Sequence, residues 1–156
     1  MNIKDLTNYV KFHLKSLNIK VNNNIIVHAN ISSFGIHHPQ LLKIIIENVL
    51  DSIGEKGTLA LPIYNVSVAK EEIIDIKKDY NKKENSILTK FFFENYKYIK
   101  THSVFHGHLI KGHLEKTFIK NINYNSFGNK SDFDLFYKNN FKLLLLGCDA
   151  SQGCTY

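Results

Sequence analysis

Three short apolar runs, each bounded by polar residues or glycine, constrain the fold of this chain more than any other feature. They lie at 25–27 in NNNIIVHAN, at 57–64 in GTLALPIY and at 142–147 in KLLLLG. Continuous apolar runs of this length are typical of strands that are buried on both faces of a sheet. Strands of that kind need helices on both faces of the sheet, and the segments between the runs supply them.

Helices are predicted from apolar spacing and from end signals. Apolar residues recur three and four positions apart over 3–17, which indicates an amphipathic helix. A second helix is expected at about 39–53 and ends at Gly54, a third begins after Ser86, and a fourth covers FDLFYKNN. The segment HGHLIKGHLEKTFI fits a strand, a helix or both. Because strands and helices alternate, we expect an α/β fold with a mostly parallel sheet flanked by helices.

The length of 156 residues indicates a single domain, 1–156, with a charged insertion at about 65–85. The net charge of +6 arises from lysine alone, since all 20 basic residues are Lys. Arginine provides the bidentate fork that base and phosphate recognition usually requires, so we expect no nucleic-acid partner. No apolar run is long enough to span a membrane and no secretory signal is visible, so we expect a cytoplasmic protein without a membrane partner. Cys148 and Cys154 are expected to be reduced thiols.

The loop VHANISSFG, at 27–35, joins the first predicted strand to the second predicted helix. Ligands bind at the carboxyl ends of strands in open α/β sheets, where such loops lie. The small side chains of Ser32 and Ser33 and the flexible Gly35 allow backbone N–H groups to approach a phosphate, and a following helix N-terminus favours an anion. An ordinary capped turn would use the same residue types.

Five segments in order resemble the aminoglycoside 3-N-acetyltransferase family: VHANISSFG, GTLALP, KTHSVFHGHLIKG, NSFGNKSDFDLFY and LLLLG. The first family block usually reads V-H-S-S-L-S-S-L-G, and it is matched here by Val27, His28, Ser32, Ser33 and Gly35. A later block, G-x-x-S-P-F, resembles 128–133, with Ser131 matched and Asp132 in place of the proline. The resemblance covers about 24–156.

The resemblance implies a fold distinct from that of the commoner acetyltransferases and an activity that moves acetyl from acetyl-CoA to an amine. It also implies that His28, Ser32, Ser33 and Gly35 contact the coenzyme.

The histidines of KTHSVFHGH fall on the block that resembles the family's catalytic R-S-x-H-P-x-x-S. Aligned without gaps, Lys100 stands for the arginine, Thr101 for the serine, and Ser103 for the histidine that acts as base. A general base needs a pKa near the working pH, which histidine has and an unactivated serine lacks. The candidates for the catalytic site are therefore His102, one residue before that position, His106, three residues after it, and Thr101.

Two other interpretations of the histidines stay open. His102 and His106 would share one face of a helix, or His106 and His108 one face of a strand, as metal ligands do. No carboxylate or cysteine lies close in sequence to complete a zinc site, so no metal is expected. In the second interpretation, the histidines form a structural or solvent-facing cluster of polar side chains.

The sequence therefore predicts an acetyl-CoA-dependent N-acetyltransferase whose acceptor is a small-molecule amine of an aminoglycoside or an amino sugar. The lysine-rich composition favours an amino sugar, because a polycationic antibiotic requires acidic contacts. The alternative is a catalytically inactive, truncated module that binds CoA or a partner. Thr155 resembles the threonine of a family T-x-x-H segment whose histidine lies beyond Tyr156, so we expect the chain to be incomplete as an enzyme.

Overall fold

A computed structural model describes residues 2–65 and 84–153. Most of the predicted charged insertion, together with Cys154 and Thr155, lies outside the described residues. The helices are α1 (Ile3–Ser16), α2 (Leu41–Ile53), α3 (Ile87–Asn95), α4 (Glu115–Lys120), α5 (Asp132–Lys138) and α6 (Ala150–Gly153), and a short 3-10 helix spans Ile31–Phe34. The strands are β1 (Asn24–Ala29), β2 (Thr58–Tyr64), β3 (Ile99–Lys100), β4 (His106–Gly112) and β5 (Lys142–Leu146).

The strands form one five-stranded sheet in the order β3-β4-β2-β1-β5. Strand β1 pairs in parallel with both β2 and β5, whereas β4 runs antiparallel to both of its neighbours. The predicted α/β fold with a mostly parallel sheet flanked by helices is therefore confirmed. The ambiguous segment HGHLIKGHLEKTFI contains both elements, since it forms β4 and then α4.

Two hydrophobic cores lie on opposite faces of the sheet. On the first face, alternate strand residues such as Val27, Leu61 and Leu109 pack with buried side chains of α1, α2 and α3. On the second face, Ile26, Ala60 and Ile110 pack beneath Phe118 of α4 and Phe136 of α5. This alternation of side chains between the two faces is what the pleat of a strand imposes.

Helix ends follow the local chemistry of the sequence. Helix α1 is capped by the Asn2 side chain, which accepts a hydrogen bond from the Asp5 backbone N–H (2.9 Å). Ser86 caps α3 as predicted, through a hydrogen bond from the Thr89 N–H (3.1 Å). Helix α2 begins at Leu41, two residues after Pro39, so the predicted start at 39 is early. No helix among residues 2–65 and 84–153 is long and apolar enough to cross a membrane.

Candidate functional site

The second face of the sheet changes from apolar to polar along the strands. Because side chains alternate between the two faces of a strand, the side chains of His28 on β1 and of His106 and His108 on β4 lie on this face, next to its apolar positions. In the β2–β4 register Pro62 is opposite His108 and Tyr64 is opposite His106. The change occurs at the carboxyl ends of β1 and β2, which is where ligands bind in open α/β sheets.

A buried hydrogen-bond network links Thr101, His108 and Asp132. Thr101 Oγ1 donates to Asp132 Oδ2 (2.5 Å), and the same carboxylate oxygen lies 2.8 Å from His108 Nδ1. The His108 backbone N–H donates to Thr101 Oγ1 (2.8 Å). Thr101 and His108 are each 1% exposed and Asp132 is 3% exposed, so the three groups satisfy one another away from water.

Three elements bring this network together. Asp132 is the first residue of α5, whose N-cap, Ser131, accepts a hydrogen bond from the Asp134 N–H (3.2 Å). Thr101 directly follows β3, and its backbone N–H donates to the His108 carbonyl (3.0 Å), which continues the β3–β4 pairing. A carboxylate at the start of a helix is also stabilised by the helix dipole.

The His108 ring is fixed by aromatic side chains as well as by Asp132. Its centroid lies 4.6 Å from that of Phe136 and 5.5 Å from that of Phe133, with both rings nearly perpendicular to the imidazole. Because packing and hydrogen bonding agree, the imidazole is held in one orientation.

His28 lies on the same face and is only 5% exposed. Its Nε2 atom is buried and has no hydrogen-bond partner among residues 2–65 and 84–153. Burial, and to a smaller extent the charge of His108, lower the pKa of His28 from 6.5 to about 4, so its imidazole is neutral at neutral pH. A buried polar atom without a partner costs about 1–3 kcal/mol, and a ligand that supplied a partner would recover part of that cost.

A polar cavity of about 260 Å³ lies at the carboxyl ends of β1 and β2. His28 and the thiol-bearing Cys148 are both in its wall, and Cys148 Sγ is 3.6 Å from the His28 carbonyl oxygen. Cys148 is a free thiol, as predicted for that residue. The remaining lining residues are Ala29, Asn30, Pro62, Tyr64, Glu84, Ser86 and Thr89.

The loop predicted to contact the coenzyme is stabilised largely by its own hydrogen bonds. Ser32 Oγ donates to Asn30 Oδ1 (2.6 Å), and Ser33 Oγ lies 2.8 Å from the Asn30 carbonyl and 2.6 Å from the Gly147 carbonyl. Gly35 ends the short 3-10 helix with φ +62°, a conformation that favours glycine. At Gly147 a Cβ would overlap Ser33 Oγ, so glycine is what allows β5 and this loop to meet.

The structure separates the three predicted catalytic residues. Thr101 belongs to the buried network, whereas the half-buried His102 packs its ring against that of Tyr124 at 6.0 Å. His106 is on the polar face, with Nδ1 3.0 Å from Ser126 Oγ. Burial, and secondarily His108, lower the pKa of His106, which favours its neutral form. Of the two predicted histidines, His106 is the one that shares the face with His28.

Ser103 is 1% exposed, and its hydroxyl has no hydrogen-bond partner within the described part of the chain. The segment 101–105 is not helical, so the helical pairing of His102 with His106 does not occur, whereas His106 and His108 do share one strand face. Within residues 2–65 and 84–153, no group of three histidine, cysteine or carboxylate side chains is arranged to hold a metal ion.

Sequence reasoning did not identify Asp132 and His108 as site residues. Asp132 was visible only as a replacement of the proline in the G-x-x-S-P-F block. His108 was visible as part of the alternating pair His106-x-His108, which is the spacing of two residues on one strand face. Neither signal indicated that the two residues bind each other.

The sequence matches no protein-family model and no curated protein. The structure is similar to that of YokD from Bacillus subtilis, with 18% identity and a TM-score of 0.73 over 92% of this chain and 64% of that protein. Aminoglycoside acetyltransferase AAC(3)-Xa gives 13% identity and a TM-score of 0.76, over 94% of this chain and 57% of the enzyme.

A third similar structure, AAC-IIIb in a binary complex with CoASH, gives 16% identity and a TM-score of 0.75 over 89% of this chain and 58% of that protein. This chain therefore spans about three fifths of the length of these proteins. At such low identity the likeness establishes the fold alone. The chain has the fold of the aminoglycoside 3-N-acetyltransferases, the family that its sequence motifs resemble.

Proposed function

We propose that this chain acts as a single cytoplasmic domain that binds acetyl-CoA and transfers acetyl to an amine of an amino sugar or an aminoglycoside. The observation that carries the proposal is the polar cavity at the carboxyl ends of β1 and β2, beside the VHANISSFG loop, in a fold shared with a protein solved with CoASH. Other proteins of this fold have been solved with the aminoglycosides sisomicin and apramycin. A small-molecule amine is therefore the proposed acceptor.

The proposed coenzyme contacts are His28, Ser32, Ser33 and Gly35. Ser32, Ser33 and Gly35 are exposed, whereas His28 lines the cavity. Because the Ser33 hydroxyl already contacts two carbonyl groups, we assign it to holding the loop in shape. The groups that we propose to contact the coenzyme directly are then the Ser32 hydroxyl oxygen, backbone groups of the loop and the His28 side chain. No metal is required for this reaction.

Acetyl transfer requires a group that takes a proton from the acceptor nitrogen. Thr101, His102 and His106 are the candidates that the family block implies. In the structure the Thr101 hydroxyl is already bound to Asp132, which leaves the two histidines as candidates from that block. Changing each to Asn, singly and together, tests them, because Asn keeps a polar side chain but does not titrate.

One observation favours the alternative, an inactive CoA-binding or interaction module. Ser103, at the position of the family's base, is buried, and in the part of the chain that the structure describes its hydroxyl has no hydrogen-bond partner that could activate it. The two functions differ in one measurement. A CoA-binding module and the enzyme both bind CoA, but only the enzyme consumes acetyl-CoA when an amine is added.

Isothermal titration calorimetry with CoA tests the proposal. We expect weak binding by the full chain and a roughly 2- to 10-fold loss of affinity in Ser32→Ala, the range given by one lost hydrogen bond of about 0.5–1.5 kcal/mol. Ser16→Ala is the matched control, since Ser16 is an exposed serine whose hydroxyl binds a backbone carbonyl at the distant end of α1 (2.8 Å).

Protein shown to be folded by circular dichroism that gives no heat with millimolar CoA would contradict the proposal. CoA binding without acetyl-CoA consumption, with glucosamine or an aminoglycoside as acceptor, would favour the inactive module.

A further inference from the structure

Two exposed aromatic side chains lie against the histidines of KTHSVFHGH. The ring centroids of Tyr124 and His102 are 6.0 Å apart, and those of Phe127 and His106 are 5.4 Å apart. Tyr124 is 57% exposed and Phe127 is 53% exposed. We propose that these four side chains form the acceptor subsite and that the subsite takes a single amino-sugar ring rather than a polycationic aminoglycoside. This inference rests on the proposed function and names the substrate class for it.

The two aromatic side chains belong to the segment 121–130, which asparagine side chains close into a loop. Asn121 Nδ2 donates to the Lys130 carbonyl (2.7 Å). Asn123 Nδ2 donates to the Asn129 carbonyl (3.1 Å). Because these bonds join the two ends of the segment, the loop holds its shape without a ligand. Sites for small molecules are usually preformed in this way.

Phe127 is also held from below. Its ring stacks on that of Phe133, with 5.2 Å between the centroids and 15° between the planes. The neighbouring Ser126 Oγ lies 3.0 Å from His106 Nδ1, so the loop and the histidine are joined by a hydrogen bond as well as by ring packing. An accessible aromatic surface that the protein holds in place and borders with polar groups is typical of a ligand-binding site.

His106 connects this subsite to the polar cavity. Tyr64, in the cavity wall, is the Cα partner of His106 in the β2–β4 register. The two rings lie 6.0 Å apart and nearly perpendicular, at 86°. His106 is half-buried, so part of the residue is accessible, in contrast to the buried His28 and His108. A coenzyme in the cavity and an amine held on Phe127 would therefore meet beside His106, one of the two candidate bases.

The charges around the subsite select among amines. From 116 to 131 the sequence has three lysines and no carboxylate. The next two carboxylates in the chain are engaged, Asp132 in the buried network and Asp134 with Lys138 Nζ at 2.7 Å. The cavity wall adds one carboxylate, Glu84. A polycation would meet repulsion here without enough opposite charges to offset it, whereas a sugar with one amine would not.

An amino-sugar ring matches the chemical character of the subsite. Its C–H groups form an apolar surface that can pack on a flat aromatic side chain. Its hydroxyl groups can exchange hydrogen bonds with the imidazoles of His102 and His106. Its ammonium form is attracted to the face of a tyrosine or phenylalanine ring within about 6 Å. The subsite therefore offers a contact for each part of such a ligand.

NMR of the aromatic and histidine rings in the isotope-labelled full chain tests the subsite without any need for activity, with glucosamine as the probe. We expect the ring signals of Tyr124, Phe127 and His106 to shift when glucosamine is added. Those of Tyr137, a tyrosine of α5 that is 86% exposed, should stay fixed. We expect apramycin, a polycationic aminoglycoside, to bind at least about 10-fold more weakly at the same ionic strength.

Substitutions by leucine separate the flat ring from mere apolar character. Tyr124→Leu and Phe127→Leu should each weaken glucosamine binding by about 3- to 10-fold, because leucine keeps an apolar side chain but offers no aromatic face. Tyr137→Leu is the matched control and should leave glucosamine binding unchanged. Circular dichroism checks that each variant is folded, and calorimetry with CoA should show a change of less than about twofold in all three.

The outcomes distinguish this inference from the proposed function. Fixed signals of Tyr124 and Phe127 in a large excess of glucosamine, in protein that binds CoA, would overturn the subsite and leave coenzyme binding standing. Apramycin binding as tightly as glucosamine, or an equal effect of Tyr137→Leu and Phe127→Leu, would also overturn it. If folded protein shows the glucosamine shifts but binds no CoA, the proposed acetyl transfer fails and the amino-sugar site stands.

Discussion

Thr101 and Ser103 each carry a buried hydroxyl group in the same loop, and removing these two groups should have different effects on the free energy of unfolding. Thr101→Val keeps the shape of the side chain but removes the hydroxyl that donates to Asp132 Oδ2 (2.5 Å) and accepts from the His108 N–H (2.8 Å). A hydrogen bond to a charged group contributes about 1.5–3 kcal/mol, and the stranded N–H costs about 1–3 kcal/mol. We therefore expect Thr101→Val to lower the free energy of unfolding by about 2.5–6 kcal/mol.

Ser103→Ala is the matched control, because Ser103 is as deeply buried as Thr101, yet none of the residues that the structure describes is hydrogen-bonded to its hydroxyl. Removing a buried, unsatisfied polar group is neutral or stabilising, by about 1 kcal/mol at most. Urea unfolding followed by far-ultraviolet circular dichroism measures both changes, provided that the denaturant slope is the same in all three proteins. Equal effects of the two substitutions, or a loss below about 1 kcal/mol in Thr101→Val, would refute the network as a source of stability.

The remaining stability predictions concern Asp132 and His28. Asp132→Asn should destabilise the fold by about 1–3 kcal/mol in the same urea experiment, because it replaces the carboxylate oxygen that is hydrogen-bonded to both Thr101 and His108 in a buried site. Asp134→Asn, in the same first turn of α5 but paired with the exposed Lys138, should cost clearly less, and equal losses would contradict the prediction. The lowered pKa of His28 means that the unfolded chain binds its proton at a higher pH than the folded chain does, so stability falls as the pH drops from about 6.5 to about 4. The loss is about 3 kcal/mol at most, at about 1.36 kcal/mol per pKa unit. His28→Gln should flatten this part of the pH–stability curve, and an unchanged curve would mean that another group is responsible.

The parts of the fold that could be predicted from the sequence are those where one apolar pattern continues without interruption. The three apolar runs became β1, β2 and β5, which pair in parallel at the centre and at one edge of the sheet. Strand β3 has only two residues and gives no periodic signal. The segment of β4 and α4 was ambiguous because Gly112 is followed within three residues by the first residue of the helix, so strand and helix periods overlap in one window.

The site was less predictable because its contacts are not local. The motif VHANISSFG marked His28, but its burial depends on a sheet whose strands are distant in the chain. The network joins Thr101 to His108 across 7 residues and His108 to Asp132 across 24, and no spacing rule links such positions. A lone threonine, histidine or aspartate in a soluble protein carries no information about such a partner.

Two departures from the family motifs, Asp132 and Ser103, can be compared with the contacts that each residue makes in the structure. Asp132 occupies the first position of α5, where the family block has proline; both residues suit a helix start, proline by its fixed φ and aspartate by its charge. A buried carboxylate at that position requires donors, and Thr101 and His108 supply them. Ser103, in contrast, has no hydrogen-bond partner for its hydroxyl among the described residues. The buried hydrogen-bond network of this face therefore joins Thr101, His108 and Asp132, and does not include Ser103, the position that the motif assigns to the base.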